Sequence, residues 1–324
     1  MCSEQAKSFL GNEGITVPSE CSVNWGSAGT LVPAVHGRTR EGMAMARIPI
    51  TPMTLGGGAG TLAAWEAVPP TGVEVRGTVV LVPGFTGSKE DFEGMLPVLA
   101  QAGYRAVAYD QRGQWQSEGP EDISGYTMDD FVGDLLGAVD QVSPDAAVEL
   151  VGHSFGGYVS RVAVIARPER FRSFTLLASG PSSVEDINFP PPQLVAQEVE
   201  AGGQEVIWQQ MSAAIASGGL EFPAGRAEFL HTRILETKKA NILGILKVME
   251  QPPVKDPAEL RDAGVPLLVA YGDTNDLWAP EVHEKFAEQL GARTAVFHGS
   301  GHVPNEDVPE QVCAELVKFW RELA

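Results

Sequence analysis

Short apolar stretches alternate with segments of helical spacing along most of the chain. GTVVLVPGF reads as a buried strand, Phe92 to Ala102 as a helix, and YRAVAYD as a strand ending at Asp110. Helical spacing resumes from Met128 to Val142, followed by the strand AAVELVGHS, the helix FGGYVSRVAVIA and the strand FRSFTLLAS. Upstream, from Ala46, ARIPITPMTL and TLAAWEAVP flank the turn GGGAG and predict a leading hairpin. Alternation breaks at Pro181 and returns with VPLLVAYGD, a helix over Glu281 to Leu290, the strand RTAVFHG and a closing helix from Pro309. Buried strands alternating with helices predict an α/β protein with a mostly parallel central sheet covered on both faces.

From Pro181 to Pro257 helical segments such as QLVAQEVEAGGQEVIWQQMSAAIA and RAEFLHTRILETKKANILGILKVME dominate. An all-helical stretch between two sheet-forming ones predicts an inserted cap, residues 181–257, over the C-terminal edge of a sheet built from 46–180 and 258–324. Its apolar positions, Leu194, Val195, Met211, Ile215, Ile242 and Met249 among them, either join the cap helices to each other and to the core or face a pocket. Residues 1–45 hold scattered Gly, Pro and Ser without a sustained period, an N-terminal extension for which no element is predicted.

At 324 residues the chain accommodates one large domain or two smaller ones. Its net charge of −19 makes nucleic acid and anionic membrane surfaces poor partners, since both are held mainly by Lys and Arg. Cys2, Cys21 and Cys313 are too few and too scattered for a disulfide framework or a zinc site, which fits a reducing compartment. The start of the chain has no basic segment followed by an apolar run, and no stretch reaches the length of a membrane span. A cytoplasmic protein acting on a small molecule is expected, with nothing pointing to a homo-oligomer. The triple glycine does not suit a dinucleotide, because a G-x-G-x-x-G frame from Gly56 or Gly58 would need glycine at Thr61 or Ala63.

Gly152-His153-Ser154-Phe155-Gly156 has the form G-x-S-x-G, a weak signal by itself in a chain with 36 glycines. Its position strengthens it: Ser154 falls between a buried strand and a helix, where a sharp turn would project the hydroxyl above the sheet. A serine hydroxyl needs an adjacent base, usually a histidine oriented by a carboxylate. Asp276 and His302 each follow a predicted strand, in the order Ser, Asp, His.

With these motifs the chain resembles the α/β-hydrolase fold superfamily, in its esterase- and lipase-like members with a helical cap. The resemblance rests on VPGF at 82–85, DQRGQWQS at 110–117, GHSFGG at 152–157, YGDTNDLWAP at 271–280 and GSGHVPNEDVPE at 299–310, and spans roughly residues 75–324. It implies Ser154 as nucleophile, His302 as general base, Asp276 as the acid that orients it, and the backbone amides of Phe85 and Phe155 as an oxyanion hole. It implies no metal and no organic cofactor. Pro83-Gly84 stands where many relatives have His-Gly, and Trp115 replaces a glycine in the loop after Asp110, where its ring either shapes the pocket or packs beneath it. The usual G-x-x-D spacing would land on Asn275, which leaves Asp276 or Asp273 as the acid; Pro280 follows the family spacing when counted from Asp276. Trp278 and Met211 are further candidates for the pocket. His36, His153, His231, His283 and His298 are rivals to His302 without its Gly-rich loop.

The activity implied is hydrolysis of a carboxylic ester, thioester or lactone of a small apolar substrate through an acyl-enzyme. Acyl transfer, carbon–carbon hydrolysis, and proline iminopeptidase-like or haloperoxidase-like chemistry use the same residues, and a non-catalytic small-ligand receptor is the alternative outside enzymes. Haloalkane dehalogenases and epoxide hydrolases use an aspartate nucleophile, and Ser154 in that position argues against both.

Overall fold

The structure, a computed structural model, describes residues 48–181, 187–217, 224–250, 256–274 and 276–323. The extension expected over 1–45 lies outside them. The chain begins with β1 (Thr51–Gly57), β2 (Gly60–Ala67) and β3 (Gly77–Val82), then α1 (Leu96–Gln101) and β4 (Tyr104–Tyr109). It continues through α2 (Met128–Val142), β5 (Val148–His153), α3 (Phe155–Ala166) and β6 (Phe171–Leu177). Five helices follow without an intervening described strand: α4 (Pro192–Gly202), α5 (Glu205–Ser217), α6 (Arg226–Glu236), α7 (Lys239–Glu250) and α8 (Pro257–Asp262). The chain closes with β7 (Leu267–Gly272), α9 (Pro280–Leu290), β8 (Arg293–Phe297), α10 (Pro304–Asp307) and α11 (Pro309–Glu322).

The described strands form one sheet in the order β1-β2-β4-β3-β5-β6-β7-β8. The leading hairpin pairs antiparallel, β2 pairs antiparallel with β4, and every pairing from β4 to β8 is parallel. Alternation within β3 shows why the sheet is covered twice. Val80 and Val82 pack with Leu135, Val159 and Phe286 on one face, and Val79 and Leu81 with Leu96, Leu99 and Trp320 on the other. Both sets are buried, which explains why the strand reads as continuously apolar.

Helix boundaries follow local chemistry. α2 opens on a capping box, in which the Thr127 side chain accepts from the Asp130 N–H and Asp130 returns the bond to Thr127. α9 begins on Pro280 and ends at Gly291 in the left-handed conformation. The helix expected from Phe92 is a 3-10 turn over Lys89–Phe92 followed by α1, because Pro97 has no N–H to give and fits only the first turn of a helix. The strand expected to include His298 ends at Phe297.

Helices α4 to α7 build an apolar core of their own from Val195, Val199, Ile207, Leu230, Ile234, Ile242 and Leu246. α7 is shared, since its Ala240 and Ile245 belong to the core beneath the sheet. Among the described residues no helix is long and apolar enough to cross a membrane.

The β5–α3 junction leaves no room for a side chain. A Cβ on Gly156 would lie 2.6 Å from the Pro83 carbonyl oxygen, and one on Gly152 would lie 2.7 Å from the Cα of Gly157. Backbone cannot give way as a side chain can, so Gly156→Ala is expected to cost about 3 kcal/mol or more. Urea unfolding monitored by circular dichroism would measure this; a loss well under 1 kcal/mol would mean that the junction is looser than described.

Candidate active site

β5 ends at His153 and α3 starts at Phe155, so the chain turns within the single residue Ser154. That residue has φ 50° and ψ −118°, a conformation strained for any side chain. Three hydrogen bonds hold it: the Ser154 N–H donates to Leu177 O (3.0 Å), and its own carbonyl accepts from the Gly157 N–H and the Ser179 hydroxyl (both 2.9 Å). The turn raises the hydroxyl toward the loops at the C-terminal ends of the parallel strands.

Those loops carry Asp276 and His302, after β7 and β8. His302 Nε2 lies 3.0 Å from Ser154 Oγ, and His302 Nδ1 lies 2.7 Å from Asp276 Oδ1. An ionised carboxylate can only accept, so Nδ1 carries the proton and Nε2 is free to take one from the serine. Burial by itself would raise the Asp276 carboxyl. The hydrogen bonds and charges of His283 and His302 outweigh that burial and hold the acid well below the usual carboxylate range, so it stays ionised at neutral pH.

Asp273, the other candidate acid, points elsewhere. Its carboxylate meets His298 Nδ1 at 2.7 Å and accepts from the Gly299 N–H at 2.7 Å, and His298 is largely exposed. His153 supports His302 from beneath: its Nε2 is 2.8 Å from the His302 carbonyl, and the two ring centroids are 5.1 Å apart. Burial pushes the His153 imidazole down to about 4, so it is neutral at pH 7 and donates Nε2–H to that carbonyl. His231 pairs with Glu205 in the insertion.

The loop after β3 lies against the serine, since a Cβ on Gly84 would be 3.0 Å from Ser154 Cβ. Two buried glutamines of the DQRGQWQS motif anchor it: Gln111 Nε2 donates to Pro83 O and Gln114 Nε2 to Gly84 O, both at 2.8 Å. The Gly84 carbonyl shares a trans peptide with the Phe85 N–H, so fixing the one fixes the direction of the other. Phe155 opens α3, and its N–H belongs to the first turn, where amides have no carbonyl partner within the helix. Sequence reasoning missed both glutamines; the available signal was their place inside a motif already singled out, just past the end of a strand.

Ser154 and His302 line a small chamber walled by Phe85, Phe155, Tyr158, Phe189, Met249 and Trp278. Phe85 also lines a second, more polar chamber with Met211, Ile215, His153, Asp91, Arg226, Arg233 and Glu306. Of the three pocket candidates, Trp278 thus stands beside the serine and Met211 in the neighbouring chamber. Trp115 does neither: its ring packs edge-on against Phe229 and its indole N–H donates to Glu90. In the second chamber Arg233 pairs with Asp91 and Arg226 with Glu306, which ties α6 to the sheet-forming core. Among the described residues no group of three or more His, Cys, Asp or Glu side chains can hold a metal ion.

Known proteins share this architecture. A family model described as alpha/beta hydrolase fold matches residues 77–309. An epoxide hydrolase of Caballeronia sordidicola is 37% identical over 111 residues, 33% of this chain and 33% of its own length. The chain spans still less, 19%, of relatives matched at 38% identity. A protein of Oryza sativa subsp. japonica named a probable esterase is 26% identical over 253 residues, 75% of this chain and 91% of its own. Among solved structures, a thermophilic esterase from Thermogutta terrifontis superposes with a TM-score of 0.67 at 20% identity, covering 85% of this chain and 99% of that one.

The two aspartates separate cleanly by substitution. Asp276→Asn is expected to lower turnover of any substrate attacked by Ser154 about 10⁴-fold, because the amide favours the wrong tautomer of His302. Asp273→Asn loses a solvent-exposed pair and is expected to change turnover less than about threefold. Steady-state kinetics of the two variants would check this, and the opposite ranking would reassign the acid.

Proposed function

The chain belongs to the α/β-hydrolase fold family, and from that premise we propose that it is a serine hydrolase. It cleaves a carboxylic ester, thioester or lactone of a small apolar substrate through an acyl-enzyme intermediate. The observation that carries this reading is the continuous relay from Ser154 Oγ through both nitrogens of His302 to a buried, ionised Asp276.

In this reading the Ser154 oxygen attacks the carbonyl carbon while His302 Nε2 takes the hydroxyl proton. Negative charge then forms on the former carbonyl oxygen, where the Phe85 and Phe155 N–H groups stabilise it. His302 returns its proton to the departing alcohol, thiol or ring oxygen, which leaves an acyl-serine. Water, deprotonated by the same nitrogen, adds to the acyl carbon and releases the acid and the serine. The aromatic and aliphatic wall beside Ser154 favours an apolar acyl group.

The epoxide hydrolase relatives do not alter this reading. Epoxide opening in the family uses a carboxylate nucleophile, and the corresponding turn here presents a hydroxyl. The partner in this reading is a small molecule, and a net charge of −19 favours neither nucleic acid nor an anionic membrane.

A fluorophosphonate tests the nucleophile directly. Intact-mass analysis with peptide mapping is expected to find one adduct, at Ser154. Ser154→Ala is expected to lose the adduct and at least about 10³-fold in ester turnover. A series of p-nitrophenyl esters is expected to show rates that depend on acyl length. An unlabelled Ser154, or ester turnover that survives the alanine, would refute the proposal.

A further inference from the structure

His283 lies on α9, seven residues beyond Asp276, and no part of its side chain reaches solvent. Its ring stacks on Tyr271 with centroids 4.5 Å apart and planes 12° apart, and meets Trp278 edge-on. Its Nε2 lies 3.0 Å from Asp276 Oδ2. The other carboxylate oxygen, Oδ1, accepts from His302 Nδ1 at 2.7 Å and from the Leu277 N–H at 2.6 Å. The acid is thus gripped on one oxygen by the histidine that faces the serine and on the other by a histidine that faces the core.

An ionised carboxylate offers no proton, so Nε2 of His283 is the donor. Its Nδ1 is buried without a hydrogen-bond partner. A fully buried imidazole with one unsatisfied nitrogen is a poor filler for a core position where leucine or phenylalanine would pack without that cost. Its stacking on Tyr271 holds the ring plane, and the ring plane aims the N–H at Oδ2.

We infer that His283 is a positioning residue for the reaction proposed above: it locks the Asp276 carboxylate in the rotation that serves His302 and withdraws part of its charge from His302. The inference rests on the serine-hydrolase reading. Two consequences differ from those of simple packing. Without the donor the carboxylate is free to rotate away from His302, which slows attack by Ser154. Where it still faces His302, its undivided charge favours the protonated imidazolium, so the inactive acid form of the enzyme persists to higher pH. Of the ionisable groups nearby, His302 and Tyr271 touch the pair and His153 lies beneath His302, while Glu281 and Glu284 on α9 act on Tyr271 and the Arg161 guanidinium lies over Phe286 of the same helix. These are common to all the variants below, so a shift confined to one variant reports the lost donor.

The test compares the rate of fluorophosphonate labelling at Ser154, as a function of pH, in wild type, His283→Phe and His283→Gln. Phenylalanine keeps a ring against Tyr271 and has no donor. Its labelling is expected to slow about 10- to 100-fold, the range found when a hydrogen-bonded outer partner of a site is removed, with the acid limb of the profile moved to higher pH. Glutamine restores an amide N–H close to the Nε2 position and is expected to stay within about threefold of wild type, with an unmoved acid limb. If the phenylalanine variant does not fold, His283→Met serves as the donor-free comparator. A folded donor-free variant with wild-type rate and profile would overturn the inference, and so would a glutamine variant as slow as the donor-free one, which would make the role one of packing. Failure of the wild type itself to label would sink the serine-hydrolase reading, and this inference with it.

Discussion

A single residue, Ser154, turns the chain from the end of β5 into the start of α3 at φ 50° and ψ −118°. The strain is tolerable because the neighbouring backbone is packed too closely to let it relax: glycines 152, 156 and 157 meet one another, the Val82 and Pro83 carbonyls and Ser179 with no room for a side chain. The rest of the site follows from that turn. β5 lies between β3 and β6, so the serine rises beside the loop that bears Phe85, and the parallel run through β6 to β7 and β8 delivers Asp276 and His302 to the same edge. A parallel sheet places all its C-terminal loops at one end, which is why residues from four distant parts of the chain can meet there.

Charge is distributed unevenly around the serine, where one imidazole faces the hydroxyl and the other a backbone carbonyl. Asp276 is ionised because two histidines compensate its loss of water. His153, buried without an acid of its own, is neutral and serves to hold the His302 backbone. Two histidines in ring contact thus have different tasks, set by a carboxylate that reaches only one of them. The glutamine pair beneath the Phe85 loop performs a comparable service without charge, each amide donating to a backbone carbonyl in the interior.

The helical insertion is joined to the sheet in a different manner. Apolar residues of α4 to α7 pack on one another, Ala240 and Ile245 of α7 join the core of the sheet, and ion pairs from Arg226 and Arg233 tie α6 to Glu306 and Asp91 at the sheet edge. Buried ion pairs contribute little net stability but are unforgiving of misplacement, so they suit a contact that must set orientation. Phe85 stands between the apolar chamber at the serine and the charged one at this seam, and is thus a wall of both.

The alternation of apolar strands with helices, and so the α/β class and the sheet with its leading hairpin, was legible in the chain because burial on one or both faces writes a short-range period into the residues. So were Ser154, marked by glycines on either side at a strand end, and the Gly-rich loop of His302. Other features depend on directions that no spacing encodes. Asp273 and Asp276 sit three residues apart in one loop, and which of them meets His302 depends on how that loop folds back over β8. His283 reads as an ordinary amphipathic helix position until α9 packs against β7 and turns its inner face to Asp276. Trp115 and Met211 are as apolar as Trp278, yet a turn at φ 41° for Trp115 and the seating of α5 for Met211 lead both away from the serine. Sequence by itself determined the elements, their order and the chemical types available, since those follow from local periodicity and turn chemistry. Tertiary structure alone decided which side chains share hydrogen bonds, because a difference of one or two ångströms between distant loops is set by packing and leaves no local trace.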